Sequence, residues 1–191
     1  MRRTFFVLIA SFSFVACGPP PVEGPAPNYS TDSGVTTPTD AGTTVAGPRV
    51  QVRQVIDGDT IILTATSDAK TPDGRNLSGE TVRLLGVDAP EVARPPQTPT
   101  SDCYGDEARA DARDLMQGRT VTLAYGTSNY RDTYGRLLAY VVFSNGEIAN
   151  ETLIENGSAR SYDRFSHRYR SRFEAAEKRA RDQNLGVWTC R

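Results

Sequence analysis

VIDGDTIIL (residues 55–63) and TVRLLGVDAPE (residues 81–91) are the two segments that decide the fold. An Asp-Gly pair between two runs rich in β-branched residues predicts a tight hairpin connection at residues 57–59. The second segment is typical of a strand that stops at Ala89-Pro90, because the residue before proline is held extended and proline cannot continue a ladder. Both segments therefore predict strands that carry acidic residues at their ends.

Arg83 interrupts the second apolar strand, and a lone arginine among valines and leucines indicates a guanidinium directed at a specific partner. Downstream, DTYGR (residues 132–136) adds a second arginine. Taken alone, Asp57-Gly-Asp59 is also typical of a plain turn, and the acids at 88 and 91 are compatible with a solvated strand exit. Together, three carboxylates and two arginines at strand ends are what metal-assisted phosphodiester cleavage requires: hard oxygen ligands, a base and donors for phosphate.

The motifs VIDGDT, RLLGVDAPE and DTYGR, the last followed directly by LAYV, resemble the staphylococcal nuclease (thermonuclease) family. The order and spacing of the motifs match the family, and the resemblance extends from about Arg49 to Trp188. It implies an α+β fold that is mainly β: a five-stranded Greek-key barrel of the oligonucleotide-binding (OB) type with three α-helices.

Hydrophobic periodicity predicts elements that suit such a barrel. Five strands are expected at residues 50–56, 60–66, 81–87, 120–125 and 137–143. Three helices are expected at residues 103–116, 148–156 and 168–183. The polar segment 67–79 between the second and third strands is longer than a hairpin needs, and the sequence assigns it no role.

The resemblance also implies a metal site. Asp59 and Asp88 would bind Ca²⁺, with the backbone carbonyl of Ala89 as a third oxygen ligand and waters completing the shell. The family's reference member has threonine where Ala89 stands, and a carbonyl ligand tolerates that difference. Asp57 would stabilise the turn or, alternatively, support the metal ligands from behind.

Catalytic roles follow from the same resemblance. Glu91 would act as the general base that activates a water, or would only position that water. Arg83 and Arg136 would bind the scissile phosphate and stabilise the charge of the transition state. Tyr134 would line the nucleotide pocket or pack on the barrel as a turn residue, and Asp132 would orient Arg136 or cap the turn.

The function implied is a calcium-dependent nuclease that cleaves DNA and RNA alike to 3′-phosphorylated products. Low sequence specificity is expected because the contacts named are to phosphate, which carries no base identity. One alternative is a non-catalytic nucleic-acid-binding module of the same fold on a surface lipoprotein. Another is a structural or adhesive surface lipoprotein. The presence of Glu91 together with Arg83 and Arg136 favours the enzyme.

The charge of the chain argues weakly against a protein that only coats nucleic acid, because such proteins are usually basic. The formal net charge is −1. Of the 22 cationic residues, all but Lys70 and Lys178 are arginine, the type suited to bidentate phosphate contacts. Cations cluster within residues 160–181, which is compatible with either a binding surface or the solvated face of the last helix.

The N-terminus predicts export. Arg2 and Arg3 precede an apolar run that is too short for a mature membrane span, which is typical of a signal peptide over residues 1–17. FVAC before Gly18 resembles a bacterial lipobox, so Cys17 is the expected lipidation site, with an ordinary secretory signal as the alternative. Residues 18–48, rich in Pro, Gly and Thr, would form a disordered tether to a nuclease domain at 49–191. We expect an exported monomer, anchored by lipid and facing the periplasm or the exterior.

The other two cysteines, Cys103 and Cys190, form an even pair in an exported domain, where disulfides persist. The alternative is two free thiols. The chain has one histidine, His167, in a polar context, and we expect it to be solvated at the surface. One imidazole and no C-x-x-C pattern argue against zinc and against a catalytic triad.

Overall fold

The computed structural model describes residues 45–65, 68–126 and 129–190. The predicted signal peptide, the lipidation site Cys17 and nearly all of the predicted tether lie outside the described residues. The described strands are β1 Val45–Asp57, β2 Thr60–Thr64, β3 Thr81–Leu84, β4 Val87–Asp88, β5 Thr120–Tyr125, β6 Leu137–Val142 and β7 Arg160–Ser161. The helices are α1 Gly105–Met116, α2 Ala149–Glu155, α3 Arg170–Asp182 and a 3₁₀ helix at Gly186–Thr189.

Five of these strands close into a barrel in the order β1-β2-β3-β6-β5. Neighbours pair antiparallel except β3 and β6, which are parallel. Strand β1 is long enough to pair with both β2 and β5, and register shifts between Val52 and Gln54 and between Val55 and Asp57 give it the bend that closure requires. The mixed five-stranded barrel with three α-helices confirms the predicted OB-type fold.

The interior of the barrel is filled by residues that alternate along its strands. Fully buried examples are Val52, Ile61, Leu63, Val82, Leu84, Leu123, Leu137, Ala139 and Val141. Helix α1 packs on β1, and α3 packs mainly on α2. Both helices bury faces of the predicted helical spacing, Ala108, Ala112 and Met116 on the first and Phe173, Ala176 and Ala180 on the other. The described part of the chain contains no helix with the length and apolar character of a membrane span.

Several predicted boundaries differ from the structure, and one of the differences shapes the candidate site. The barrel strand β3 ends at Leu84 rather than at residue 87, because Gly86 has φ +71°, a left-handed conformation that no strand continues through. The chain then forms β4, which pairs outside the barrel with β7, Asp88 facing Arg160. Because the chain leaves the barrel at Gly86, Asp88 lies on β4 rather than on a strand of the barrel.

Smaller corrections concern the ends of elements. Strand β1 begins at Val45, so residues 45–48, predicted as the end of the tether, are part of the barrel. Strand β2 stops at Thr64 rather than at residue 66. Helix α1 begins at Gly105 rather than at residue 103, because Tyr104 has φ +68° and cannot belong to the helix. The other helices lose one or two residues at each end.

Cys103 and Cys190 form the expected disulfide. The bond closes a segment of 87 residues and fixes the C-terminal 3₁₀ helix to the start of α1. In the chain-entropy model a loop of this length stabilises the fold by about 4–5 kcal/mol.

The prediction for His167 is wrong, because this residue is half-buried rather than solvated. Its ring centroid lies 5.3 Å from that of Phe173, and its Nδ1 lies 3.3 Å from the hydroxyl of Tyr140. His167 has polar neighbours in the sequence, but its side chain packs between Tyr140 of the barrel and Phe173 of α3.

Candidate active site

The predicted hairpin between β1 and β2 places two aspartates at one end of the barrel. Asp57 pairs with Thr60 across the turn, and its Oδ1 accepts the backbone N–H of Asp59 at 3.3 Å. A Cβ added to Gly58 would lie 2.5 Å from the Cβ of Ala89, so only glycine allows this turn to pack against the exit of β4. The turn and the strand exit, far apart in sequence, are thereby brought into direct contact.

Asp59 lies at the centre of the site, with 9% of its side chain exposed. Its Oδ1 accepts the hydroxyl of Thr60 at 2.9 Å, and its Oδ2 accepts the backbone N–H of Ala89 at 2.9 Å. Burial raises the pKa of Asp59 to about 7 against the opposing effect of Arg83, and the nearby carboxylate of Asp57 adds to the rise. A buried acid with a pKa near neutrality is typical of a functional group.

Arg83 connects the two carboxylates that the sequence assigned to metal binding. Its Nη1 lies 2.6 Å from Asp59 Oδ2, and its Nη2 donates to Asp88 Oδ1 at 3.3 Å. The same Nη1 donates to the carbonyl of Val87 at 2.6 Å, which fixes the guanidinium beside β4. The lone arginine in the apolar strand is therefore directed at the site, as predicted.

Glu91 lies beside this group and is joined to it by a residue that the sequence did not indicate. Arg94 Nη2 donates to Glu91 Oε2 at 2.9 Å and to Asp57 Oδ2 at 2.7 Å. The carboxylate of Glu91 remains accessible, with 59% of the side chain exposed. Arg94 lies three residues after Glu91, just beyond the RLLGVDAPE motif, and that spacing was the available signal for it.

Arg136 reaches the site from the turn before β6. Asp132 accepts from its Nε at 2.6 Å and from its backbone N–H at 2.9 Å, so Asp132 both orients Arg136 and closes the turn. Nη1 of Arg136 lies 3.5 Å from the hydroxyl of Thr60, the neighbour of Asp59. Tyr134 is 85% exposed, and its ring centroid lies 5.5 Å from Arg136 Cζ, which does not agree with the alternative of a residue packed on the barrel.

The oxygen donors of the site suit a hard cation, although they are few. Within residues 45–65, 68–126 and 129–190, no group of three or more Asp, Glu, His or Cys side chains is arranged to hold a metal. Two carboxylates and the backbone oxygen of Ala89 are all hard oxygen donors, which Ca²⁺ and Mg²⁺ prefer. Asp59 and Asp88 already share one positive group, the guanidinium of Arg83, so a cation at this place fits the charge of the site.

The fold and the site together define an OB-type barrel that presents acids and arginines at the exit of one strand. Comparison with known proteins agrees: residues 81–190 match the family model described as staphylococcal nuclease homologue. The chain belongs to this family, and it is a nuclease.

Individual relatives cover most of the described domain. The chain is 36% identical over 140 residues to the thermonuclease of Staphylococcus hyicus, covering 73% of this chain and 75% of the relative. It is 36% identical over 149 residues to the thermonuclease of Staphylococcus intermedius, covering 78% and 80%. The endonuclease YncB of Bacillus subtilis (strain 168) is 32% identical over 145 residues, covering 73% and 61%.

Proposed function

We propose that this nuclease uses Ca²⁺ to hydrolyse phosphodiester bonds of both DNA and RNA and leaves 3′-phosphorylated ends. The observation that carries the proposal is the group formed by Asp59, Arg83 and Asp88, with Glu91 joined to it through Arg94. Asp59 and Asp88, with the carbonyl of Ala89, would hold the cation. When bound, Ca²⁺ would supply positive charge that polarises the phosphate and makes a neighbouring water easier to deprotonate.

Glu91 is the proposed general base. Its carboxylate is exposed enough to meet a water and a substrate phosphate, and Arg94 holds one of its oxygens in place. A base must lie within hydrogen-bond reach of the proton that it removes, so this orientation matters as much as its charge.

The two arginines would bind the scissile phosphate. Arg83 and Arg136 approach Asp59 from β3 and from the turn before β6, so a phosphate at the cation would meet a guanidinium on each side. Two planar groups with fixed donors stabilise the negative charge that grows on the phosphate oxygens in the transition state.

Lack of sugar and base preference is supported by the chemistry of the site. The proposed groups contact phosphate and water, neither of which distinguishes DNA from RNA or one base from another. Tyr134 would stack on any base, since every base has an aromatic face.

We also propose that the nuclease domain is exported and held at a membrane by lipid on Cys17. The cationic and apolar N-terminal segment, the lipobox-like FVAC and the low-complexity segment that follows support the proposal. The disulfide between Cys103 and Cys190 is consistent with an oxidising compartment. The domain would act as a monomer facing the periplasm or the cell exterior.

Cleavage assays on the full chain test the proposed reaction. Single-stranded DNA, duplex DNA and RNA are incubated with millimolar Ca²⁺, with Mg²⁺ and with chelator, and the ends of the products are analysed. The proposal expects cleavage of all three substrates with Ca²⁺, none with chelator, and products that carry 3′-phosphate. Cleavage that survives the chelator, or products with 5′-phosphate, would contradict it.

Substitution of the proposed base separates the enzyme from a non-catalytic binding module. In Glu91→Gln we expect the cleavage rate to fall by about 100-fold or more, because the variant cannot accept the proton, while affinity for an oligonucleotide stays within about threefold. Glu147→Gln, an exposed glutamate in the turn before α2, is the matched control. Normal cleavage by Glu91→Gln would exclude Glu91 as the base.

A further inference from the structure

A groove of about 360 Å³ lies between residues 75–81 and the turn at 131–136. Resting on the nuclease activity proposed above, we propose that this groove is a nucleotide subsite. It would bind a phosphate next to the scissile one together with the attached nucleoside. Its outer wall is the loop 68–80 between β2 and β3, to which the sequence assigned no role.

The groove begins where the candidate active site ends. Arg136 and Tyr134 line its inner wall, and Arg136 is also the residue whose Nη1 lies 3.5 Å from Thr60 beside Asp59. A nucleic-acid strand whose scissile phosphate meets Arg136 therefore has the groove directly beside it. The exposed ring of Tyr134 offers a surface on which a base can stack.

The acids of the groove receive hydrogen bonds from within the protein. Arg131 donates to Asp73 at 2.6 and 3.1 Å and to Glu80 at 2.9 and 3.0 Å, so one guanidinium satisfies both carboxylates. Without Arg131, two negative charges would lie beside the path of an anionic strand. With it, one of the two charges is compensated, and Arg75 and Arg136 supply further positive charge on the lining.

Arg75 is the cation that the loop presents to that phosphate. Its side chain is 62% exposed, and its Nε lies 3.5 Å from Asp73, whose two oxygens both accept shorter bonds from Arg131. Such a loose, exposed ion pair contributes little and can be exchanged for a bidentate contact to phosphate. Ser78, also exposed on the lining, lies on the same loop.

The loop is held in place before any substrate arrives. Leu77 is fully buried and its N–H donates to the carbonyl of Ala69. The N–H of Thr71 donates to the carbonyl of Arg75, and the N–H of Arg75 donates to Thr71 Oγ1. Together with the contacts of Arg131, these fix the wall of the groove at 68–80. Because this wall is already ordered, binding a substrate against it costs less conformational entropy.

The test uses the full chain and small substrates that differ by one phosphate. A dinucleoside monophosphate contains the scissile phosphate alone, and two further substrates carry an added phosphate at the 5′ or the 3′ end. The variants are Arg75→Gln, which removes the cation, and Ser78→Asp, which adds a negative charge. Arg53→Gln, an exposed arginine on β1 that does not line the groove, is the control.

We expect both loop variants to raise KM for one of the substrates with an added phosphate by about 3- to 10-fold relative to the dinucleoside monophosphate, with little change in kcat. For a single-stranded 12-mer bound to Glu91→Gln protein, adding Arg75→Gln should lower the slope of log K against log salt by roughly 0.7. If KM rises for the substrate with the added 5′-phosphate, the groove lies on the 5′ side of the scissile phosphate, and if it rises for the other substrate, the groove lies on the 3′ side.

Unchanged KM ratios for all substrates in both variants, together with an unchanged salt slope, would overturn the subsite. Absence of cleavage by the wild-type chain would instead overturn the proposed function, and the binding measurement on Glu91→Gln would still decide the question of the groove.

Discussion

Arg83 and Arg131 each join two carboxylates, yet the two clusters differ in hydrogen-bond geometry and in burial. Arg131, with Asp73 and Glu80, forms what we call the clamp: all four carboxylate oxygens accept from one guanidinium at 2.6–3.1 Å. Arg83 makes one short contact to Asp59, at 2.6 Å, and a longer one to Asp88, at 3.3 Å. A third acid, Asp57, lies beside Asp59 and takes its own partner from Arg94.

The pKa values show the consequence of this difference. In the clamp, hydrogen bonds to Arg131 hold the pKa of Asp73 well below its usual range, and the carboxylates raise the pKa of Arg131. At the site, burial and Asp57 raise the pKa of Asp59 to about 7 despite Arg83. The clamp thus favours its ionised carboxylates, whereas burial at the site disfavours the ionised form of Asp59. A divalent cation bound there would supply positive charge that favours the ionised form.

The largest expected effect comes from removing the guanidinium of the site. In Arg83→Gln we expect kcat on single-stranded DNA with Ca²⁺ to fall by about 100- to 1,000-fold, because a donor to the transition state is lost. Steady-state cleavage kinetics measure the effect, with Arg53→Gln as control. If Arg83→Gln kept its kcat within twofold, Arg83 would be only a structural partner of Asp59, like Arg131 in the clamp.

Removing the guanidinium of the clamp should act on stability. In Arg131→Gln we expect the free energy of unfolding to fall by about 1–3 kcal/mol, since Glu80 is largely buried and loses its charged donor. Urea unfolding of the metal-free protein measures the change. Arg53→Gln is again the control, within about 0.5 kcal/mol of wild type. An unchanged midpoint for Arg131→Gln would show that the clamp contributes nothing to the fold.

The raised pKa of Asp59 predicts how calcium affinity depends on pH. A carboxyl with a pKa of about 7 is mostly protonated below that pH, and the cation requires the ionised form. The apparent Kd for Ca²⁺ should therefore rise about tenfold for each pH unit below 7 and level off above it. Titrations between pH 5.5 and 8.5 measure this dependence. A Kd that is constant over the whole range would contradict a proton competing at Asp59.

Much of the barrel and of the candidate site could be predicted from the sequence because the signals are local. Asp57-Gly58-Asp59 between β-branched runs predicted the hairpin, and Ala89-Pro90 predicted the end of a strand. The apolar neighbours of Arg83 indicated a guanidinium with a specific partner, and the structure shows that partner to be Asp59. These features depend on the conformations of a few consecutive residues, which periodicity and turn chemistry describe.

The remaining features depend on contacts between distant segments, for which no local pattern exists. Arg131 meets Asp73 across 58 positions, and β4 and β7 are two residues each, too short to show any periodicity. His167 was misjudged for the same reason, since its burial comes from Tyr140 on the barrel rather than from its polar neighbours in sequence.

Calcium titration by calorimetry, in the absence of nucleic acid, tests the central claim most directly. It compares the wild-type chain with Asp59→Asn at the site and with Asp73→Asn in the clamp, the same substitution in two different environments. We expect wild type and Asp73→Asn to bind Ca²⁺ equally and Asp59→Asn to bind at least tenfold more weakly. No binding by wild type, or equal binding by all three proteins, would contradict the assignment of the cation to Asp59.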